Sequence, residues 1–262
     1  MTADLPAPVA RAPRRRRILR GIGVALLLLV VAGIAGFLWY AQPQPLLPEA
    51  TAALASTERA TYDGSDGLIT FTPTAGTPTT GLILYPGGKV PSAAYAPPAR
   101  AIAELGYLVV VVSVPFNLAV FDIGAAAPVI AAHPEIDHWV IGGHSLGGAM
   151  AAQFLGGDPG AADGLVFWAA YAATDLSAQD LAVASIYGSL DTGAASYTSA
   201  SAVANAGSDL TFTVIDGGNH EQMGWYTGQP NDPPATTTRV DQQAQVIEAT
   251  RALLDAVGDP VR

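Results

Sequence analysis

Residues 139–157 read Trp-Val-Ile-Gly-Gly-His-Ser-Leu-Gly-Gly-Ala-Met-Ala-Ala-Gln-Phe-Leu-Gly-Gly, which predicts a strand, a tight turn and then a helix. Gly143, Ser145 and Gly147 form a Gly-x-Ser-x-Gly pattern, in which the tight turn leaves no room for a side chain at either glycine position. We therefore expect the Ser145 hydroxyl to lie exposed above the edge of a sheet. The alternative is that Ser145 is an ordinary helix N-cap between two turn glycines.

The rest of the chain alternates between apolar strands and alanine-rich helices. This pattern predicts an α/β fold with a doubly wound, mostly parallel sheet that is covered on both faces. Such sheets bind ligands at the carboxyl ends of their strands. The predicted strands are about 60–63, 67–72, 81–85, 107–114, 139–141, 164–169, 183–187 and 210–215, and the predicted helices are 92–105, 118–132 and 239–257.

Composition excludes several kinds of site. The chain has no cysteine, which excludes disulfides, cysteine-bound zinc and a thiol nucleophile. Its four histidines are not spaced like metal ligands, which argues against a metalloenzyme. Catalysis by a nucleophilic serine requires neither a metal nor a cofactor, so we expect none. Six basic and 21 acidic residues follow Tyr40, a formal net charge of −15 that argues against a nucleic-acid partner.

The first 59 residues predict a membrane attachment. Residues 1–20 are rich in arginine and are expected to stay in the cytoplasm, and residues 21–40 are uncharged and long enough to span a bilayer. A proline-rich linker is predicted over 41–59, followed by one domain over 60–262. The domain would then lie outside the cytoplasm at the cell membrane. A cleaved signal peptide, which would give a secreted protein, is the alternative.

A serine hydroxyl becomes a good nucleophile when a histidine takes its proton and a carboxylate orients that histidine. Asp191 and His220 each follow a predicted strand, so both are expected at the same edge of the sheet as Ser145. Asp175, which follows the preceding strand, is an alternative acid. His144 is expected to pack beside the turn, because His220 is better placed to act as the base.

These motifs resemble the α/β-hydrolase superfamily, and within it the compact, lid-less branch related to dienelactone hydrolases. The likeness covers residues 60–257 and is carried by three segments: Tyr85-Pro86-Gly87-Gly88-Lys89, Gly143-His144-Ser145-Leu146-Gly147 and Gly217-Gly218-Asn219-His220. The N-terminal segment lies outside it.

The resemblance implies a role for each candidate residue. Ser145 would be the nucleophile, Asp191 the acid and His220 the base, and the backbone amides of Leu146 and Gly88 would bind the oxyanion. The Lys89 amide is the next candidate for the second oxyanion donor. Only about a dozen residues, 170–181, occupy the place where many relatives insert a lid, so we expect an open pocket.

The resulting hypothesis is a serine hydrolase that cleaves carboxylic esters through an acyl-enzyme. Its substrate would be a small molecule or an exposed ester, and it would be held at the membrane by the N-terminal helix. An acyltransferase that acts on a cell-envelope acceptor is an alternative, and so is a non-catalytic binding domain of the same fold.

Overall fold

A computed structural model describes residues 14–258 of the chain, with side chains described from residue 18. The chain divides into two compact units, the first ending at Gln42 and the second beginning at Pro43. Most of the predicted basic segment, residues 1–13, lies outside the described residues, as do residues 259–262 at the end of the domain.

The first unit contains one long helix, α1 (Arg14–Tyr40). Its apolar part, Ile18–Tyr40, has 23 residues and a mean hydropathy of 2.6. This part is long and apolar enough to be a membrane anchor or a signal sequence. The helix begins earlier than the predicted start at residue 21, because arginine has a high helix propensity and extends the helix toward the N-terminus.

The second unit is built on an eight-stranded sheet, which confirms the predicted α/β fold. Its strand order is β1-β2-β4-β3-β5-β6-β7-β8; β1 and β2 pair antiparallel, as do β2 and β4, and all other neighbours pair in parallel. The strands are β1 (Ala60–Asp63), β2 (Ile69–Pro73), β3 (Thr80–Tyr85), β4 (Leu108–Val111), β5 (His138–His144), β6 (Gly164–Trp168), β7 (Ala182–Gly188) and β8 (Leu210–Ile215).

Helices cover both faces of this sheet. Leu82 and Leu84 of β3 belong to one apolar core, and Ile83 and Tyr85 belong to a second core on the opposite face, as the two-residue period of a strand requires. The helices of this unit are α2 (Pro48–Ala52), α3 (Ala96–Ala103), α4 (Ala126–Ala132), α5 (Leu146–Gly157), α6 (Ala194–Tyr197), α7 (Ala200–Ala206) and α8 (Arg239–Val257). Helices α3 and α8 pack on the first core, and α4 and α5 pack on the second.

Two predicted helices are shorter than expected. The helix predicted over 92–105 begins with a 3₁₀ turn and becomes α3 only at Ala96, because the two prolines that follow suit the first turn of a helix. The helix predicted over 118–132 is α-helical only in α4, and three short 3₁₀ turns precede it. The glycine at position 124 disfavours helix in that region.

The structure also differs from the linker predicted over 41–59. From Pro43 onward this segment belongs to the same compact unit as the sheet. Leu46 forms a β-bridge with Tyr226, the Gln44 amide donates to the carbonyl of Lys89 at 2.8 Å, and Ala50 is fully buried. Burial of these apolar side chains outweighs the preference of the prolines for an extended, solvated chain. The segment therefore packs against the loops that follow β3 and His220.

Candidate active site

Ser145 stands between β5 and α5 in the strained backbone conformation that the glycine pattern predicts. Its φ is 52° and its ψ is −121°, a positive-φ conformation that costs a non-glycine residue of the order of 1 kcal/mol or more. A Cβ at either Gly143 or Gly147 would lie 2.3 Å from the carbonyl oxygen of Tyr85. The Ser145 side chain accepts no capping hydrogen bond from α5, so it is not an ordinary N-cap.

The acid and the histidine follow neighbouring strands, β7 and β8. Asp191 Oδ2 lies 2.8 Å from His220 Nδ1, and the two side chains are 2% and 12% exposed. Because the carboxylate accepts from Nδ1, we assign the proton of neutral His220 to Nδ1, which leaves Nε2 as a base. Ser145 lines the same cavity of about 210 Å³ as Asp191 and His220.

A glycine contact brings the loops of Asp191 and His220 together. A Cβ at Gly188, the last residue of β7, would lie 2.2 Å from the carbonyl carbon of Gly218 in the loop before His220. Asp175, the alternative acid, is instead exposed, and its Oδ1 accepts from the Ser177 amide at 3.0 Å and from the Ser177 hydroxyl at 2.6 Å. Asp175 therefore caps its own loop and takes no part in this pair.

A third side chain, that of Tyr197, contacts both Asp191 and His220. Sequence analysis did not predict this residue. Its hydroxyl donates to Asp191 Oδ2 at 3.1 Å and lies 3.3 Å from His220 Nδ1. Burial, together with the charge of Asp191, raises the pKa of Tyr197, so the phenol stays protonated and acts as a donor. The Gly193 amide donates to the other carboxylate oxygen at 2.7 Å. Hydrogen bonds to both of its oxygens therefore hold the Asp191 carboxylate in place.

The loop after β3 presents one free backbone amide beside the elbow. The Gly87 amide donates to the Tyr95 hydroxyl at 2.9 Å, and the Lys89 amide donates to the carbonyl of Asn117 at 2.7 Å. Within the described part of the chain, the Gly88 amide donates to no acceptor. A Cβ at Gly88 would lie 3.3 Å from Leu146 Cδ2, so this residue is next to the start of α5. The Lys89 amide, the other candidate donor, is therefore occupied.

Leu146 is the first residue of α5, so its amide has no carbonyl one turn earlier in the helix to donate to. The segments that carry the amides of Leu146 and Gly88 are therefore adjacent at the start of α5. Two unpaired amides beside a serine hydroxyl can bind a negatively charged oxygen.

His144 is buried beneath this arrangement, as expected of a residue that packs beside the turn. Its Nδ1 lies 2.8 Å from the Tyr95 hydroxyl, and its ring centroid lies 4.5 Å from that of His220. Its Nε2 is buried and has no hydrogen-bond partner among the residues described. Burial, and secondarily the neighbouring His220, holds the pKa of His144 well below its usual range. His144 is therefore neutral near physiological pH.

Two further residues that the sequence did not predict hold the loop of His220. Asp232 accepts from the amides of His220 at 3.2 Å and of Glu221 at 2.8 Å; burial raises its pKa, and these two bonds oppose the rise. Arg239, at the start of α8, donates to the carbonyls of Glu221 at 3.0 Å and Tyr226 at 3.1 Å. A carboxylate and a guanidinium therefore fix the backbone at His220 and in the segment that follows it, up to Tyr226.

The space around Ser145 is open. Residues 169–181, between β6 and β7, contain no helix and form no lid. A second cavity of about 390 Å³ extends from Ser145 past Leu146 and Ala149 to this segment. In the part of the chain that the structure covers, no group of three or more His, Asp or Glu side chains is arranged to hold a metal ion.

Comparison with known proteins identifies the fold. A family model described as the alpha/beta hydrolase family matches residues 81–244. Two solved structures of Est2, a thermophilic esterase from the Planctomycetes species Thermogutta terrifontis, in native and propionate-bound form, each superpose with a TM-score of 0.52 at 16% sequence identity. The alignments cover 80% of this chain and 94% and 96% of theirs. No curated protein sequence matches the chain. At this identity the structural likeness shows the fold alone.

Proposed function

Because this chain belongs to the alpha/beta hydrolase family, we propose that it is a serine hydrolase that cleaves carboxylic esters through an acyl-enzyme. In this proposal Ser145 is the nucleophile and His220 is the base. Asp191 orients His220, and the amides of Gly88 and Leu146 bind the oxyanion. The relation to the dienelactone hydrolase branch remains a prediction.

One observation carries the proposal. The strained, uncapped Ser145 shares a cavity with His220, whose Nδ1 is held at 2.8 Å by the buried carboxylate of Asp191. Strain at a single non-glycine residue persists only where the surrounding structure enforces it, and such residues cluster at functional sites. A buried carboxylate that is fixed on both oxygens suits a group that stabilises the imidazolium.

The reaction would proceed in two halves. Ser145 Oγ forms a bond to the carbonyl carbon while His220 Nε2 takes the hydroxyl proton, and the oxyanion binds the two amides. The bond to the leaving alcohol then breaks, and His220 gives its proton to the departing oxygen. In the second half, His220 takes a proton from water, the hydroxide attacks the acyl carbon, and the acid leaves as Ser145 recovers its proton.

We also propose that α1 anchors the enzyme in the cell membrane. The arginines at the start of α1 favour a cytoplasmic N-terminus by the positive-inside rule, and the catalytic unit would then lie outside the cytoplasm. Comparing the masses of the protein recovered from the membrane and from the medium with that of the full chain tests this. A product that lacks α1 would support the cleaved signal peptide and a secreted enzyme.

The test of the activity is hydrolysis of p-nitrophenyl butyrate by the full chain in detergent, with Ser145→Ala as the variant. We expect the wild type to release p-nitrophenol and free butyric acid in equal amounts, and the variant to lose at least about 10³-fold in kcat. Asp175→Asn is a matched control, because it removes a carboxylate from a neighbouring loop outside the site.

The alternatives give different products. Transfer to an added alcohol acceptor, with little free acid, would favour the acyltransferase. A folded wild type that releases no p-nitrophenol above the rate of Ser145→Ala would contradict the proposal and favour the non-catalytic binding domain.

A further inference from the structure

Two cavities of different chemistry meet at Ser145. The larger, of about 390 Å³, is lined by Leu146, alanines and Tyr171, and none of its lining side chains carries a charge. The smaller, of about 210 Å³, is lined by polar groups that include Thr192, Gln229 and Asp232. Both cavities also contact Tyr197. An ester has two halves, so the assignment of each half to a cavity defines the substrate.

The position of His220 assigns the two halves. His220 lines only the smaller cavity, and it must protonate the departing oxygen, so the alcohol lies there. Leu146, whose amide is one of the two proposed oxyanion donors, lines only the larger cavity. With the alcohol in the smaller cavity, the acyl chain is left to the larger one, which Ser145 also lines.

The larger cavity suits an uncharged aliphatic acid. Four of its lining residues are alanines, Ala149, Ala169, Ala170 and Ala173, whose methyl groups present an apolar surface. A carboxylate or ammonium on the acyl chain would find no oppositely charged side chain there and would lose part of its hydration. An aliphatic chain instead gains by leaving water.

The smaller cavity offers both hydrogen-bond donors and acceptors. Gln229 Oε1 accepts from the Tyr226 hydroxyl at 3.1 Å, so its amide N–H groups remain to donate. Thr192 is exposed and can donate or accept. Each oxygen of Asp232 accepts one backbone amide and keeps a further lone pair.

Hydroxyl groups on the alcohol half of the ester would best match the donors and acceptors of the smaller cavity, because each hydroxyl can both donate and accept a hydrogen bond. An alkyl alcohol would displace water from these polar groups without replacing its hydrogen bonds, which costs affinity. Two carboxylates line this cavity, but neither is free to pair with a cationic alcohol. Asp191 is 2% exposed and is bonded to His220, and Asp232 already accepts two backbone amides.

We propose that the substrate is an ester of an uncharged aliphatic acid with an alcohol that carries further hydroxyl groups, such as glycerol or a sugar. The inference rests on the proposed function, since it assigns the two halves of the ester through the role of His220.

The test compares glyceryl 1-butyrate with n-propyl butyrate, which have the same acid and the same number of alcohol carbons and differ only in hydroxyl groups. With the full chain in detergent, we expect kcat/KM to be about tenfold higher for the glyceryl ester, since two neutral hydrogen bonds are gained. Thr192→Val and Gln229→Met should each lower this ratio severalfold. Thr61→Val on the edge strand β1 is the matched control and should keep it.

Two outcomes would overturn the inference while leaving the proposed function standing: a ratio near one, or a preference for butyrylcholine over the glyceryl ester, with p-nitrophenyl butyrate still cleaved in a Ser145-dependent way. A third outcome would also overturn the inference: the same fall in the ratio of kcat/KM values in Thr61→Val. The selectivity would then not arise in the smaller cavity. If no ester, including p-nitrophenyl butyrate, is cleaved, the proposed function itself fails.

Discussion

His144 should make the stability of the catalytic unit depend on pH in a way that one substitution removes. It is almost fully buried, and its pKa lies well below its usual range near 6.5, first because of burial and then because of His220. Below pH 6.5 the unfolded chain takes up a proton at this position, and the folded chain does not. The stability that this histidine contributes is therefore complete above its ordinary pKa and falls as the pH is lowered.

The magnitude follows from linkage. For a histidine with an unfolded pKa near 6.5 that stays neutral when folded, the loss of unfolding free energy between pH 7.5 and 5.0 is about 2 kcal/mol. His144→Asn cannot titrate and keeps an oxygen near the position of Nδ1 to accept from Tyr95. Between pH 7.5 and 5.0, the unfolding free energy of the variant should fall by about 2 kcal/mol less than that of the wild type. This difference does not depend on how stable the variant is at pH 7.5.

The assay is guanidinium unfolding of residues 43–262 at both pH values, followed by tryptophan fluorescence, to which the buried Trp139 and Trp168 contribute. The carboxylates and the other histidines are common to both proteins, so their contributions largely cancel in the difference. Equal losses in the wild type and His144→Asn would refute the reasoning, because His144 would then bind its proton as readily in the folded chain as in the unfolded one.

Three further substitutions test the site and the fold. Tyr197→Phe removes a hydrogen bond to the Asp191 carboxylate, worth about 1.5–3 kcal/mol, so steady-state kinetics should show kcat lowered about tenfold or more with little change in KM; an unchanged kcat would contradict this. Asp175→Asn should keep the wild-type kcat/KM, and a large loss would make Asp175, rather than Asp191, the acid. Gly142→Ala places a Cβ 2.0 Å from the carbonyl oxygen of Val166, so calorimetry should show a Tm lowered by about 10 °C or no folded protein at all.

The centre of the sheet was predictable from sequence because strands such as β4 and β6 are continuous apolar runs. Strand β4 consists of Leu and Val, and β5 leads directly into the glycine turn before α5. The strands and this turn could therefore be recognised from short stretches of sequence. The packing of segment 41–59 on the domain was not predictable in this way. The positions of Leu46 and Ala50 depend on contacts with Tyr226 and other residues far along the chain. Proline composition alone favours an extended linker.

The residues of the candidate site also fall into two groups, those that could be predicted from sequence and those that could not. Ser145, Asp191 and His220 could be proposed because each follows a strand, and parallel strands end at one edge of the sheet. Tyr197 and Asp232 had no such signal, since they reach the site through side-chain contacts made by a short helix and by a loop without regular structure. A tyrosine six residues after a proposed acid is a pattern that could be searched for in other chains.

The central claim is that Ser145 is an activated nucleophile. The most direct test is to treat the full chain in detergent with a fluorophosphonate and to measure the intact mass of the wild type and Ser145→Ala, with peptide mapping of the adduct. We predict one adduct per wild-type chain, located on Ser145, and none on the variant. A folded wild type that stays unlabelled, or an adduct that persists in Ser145→Ala, would contradict the account.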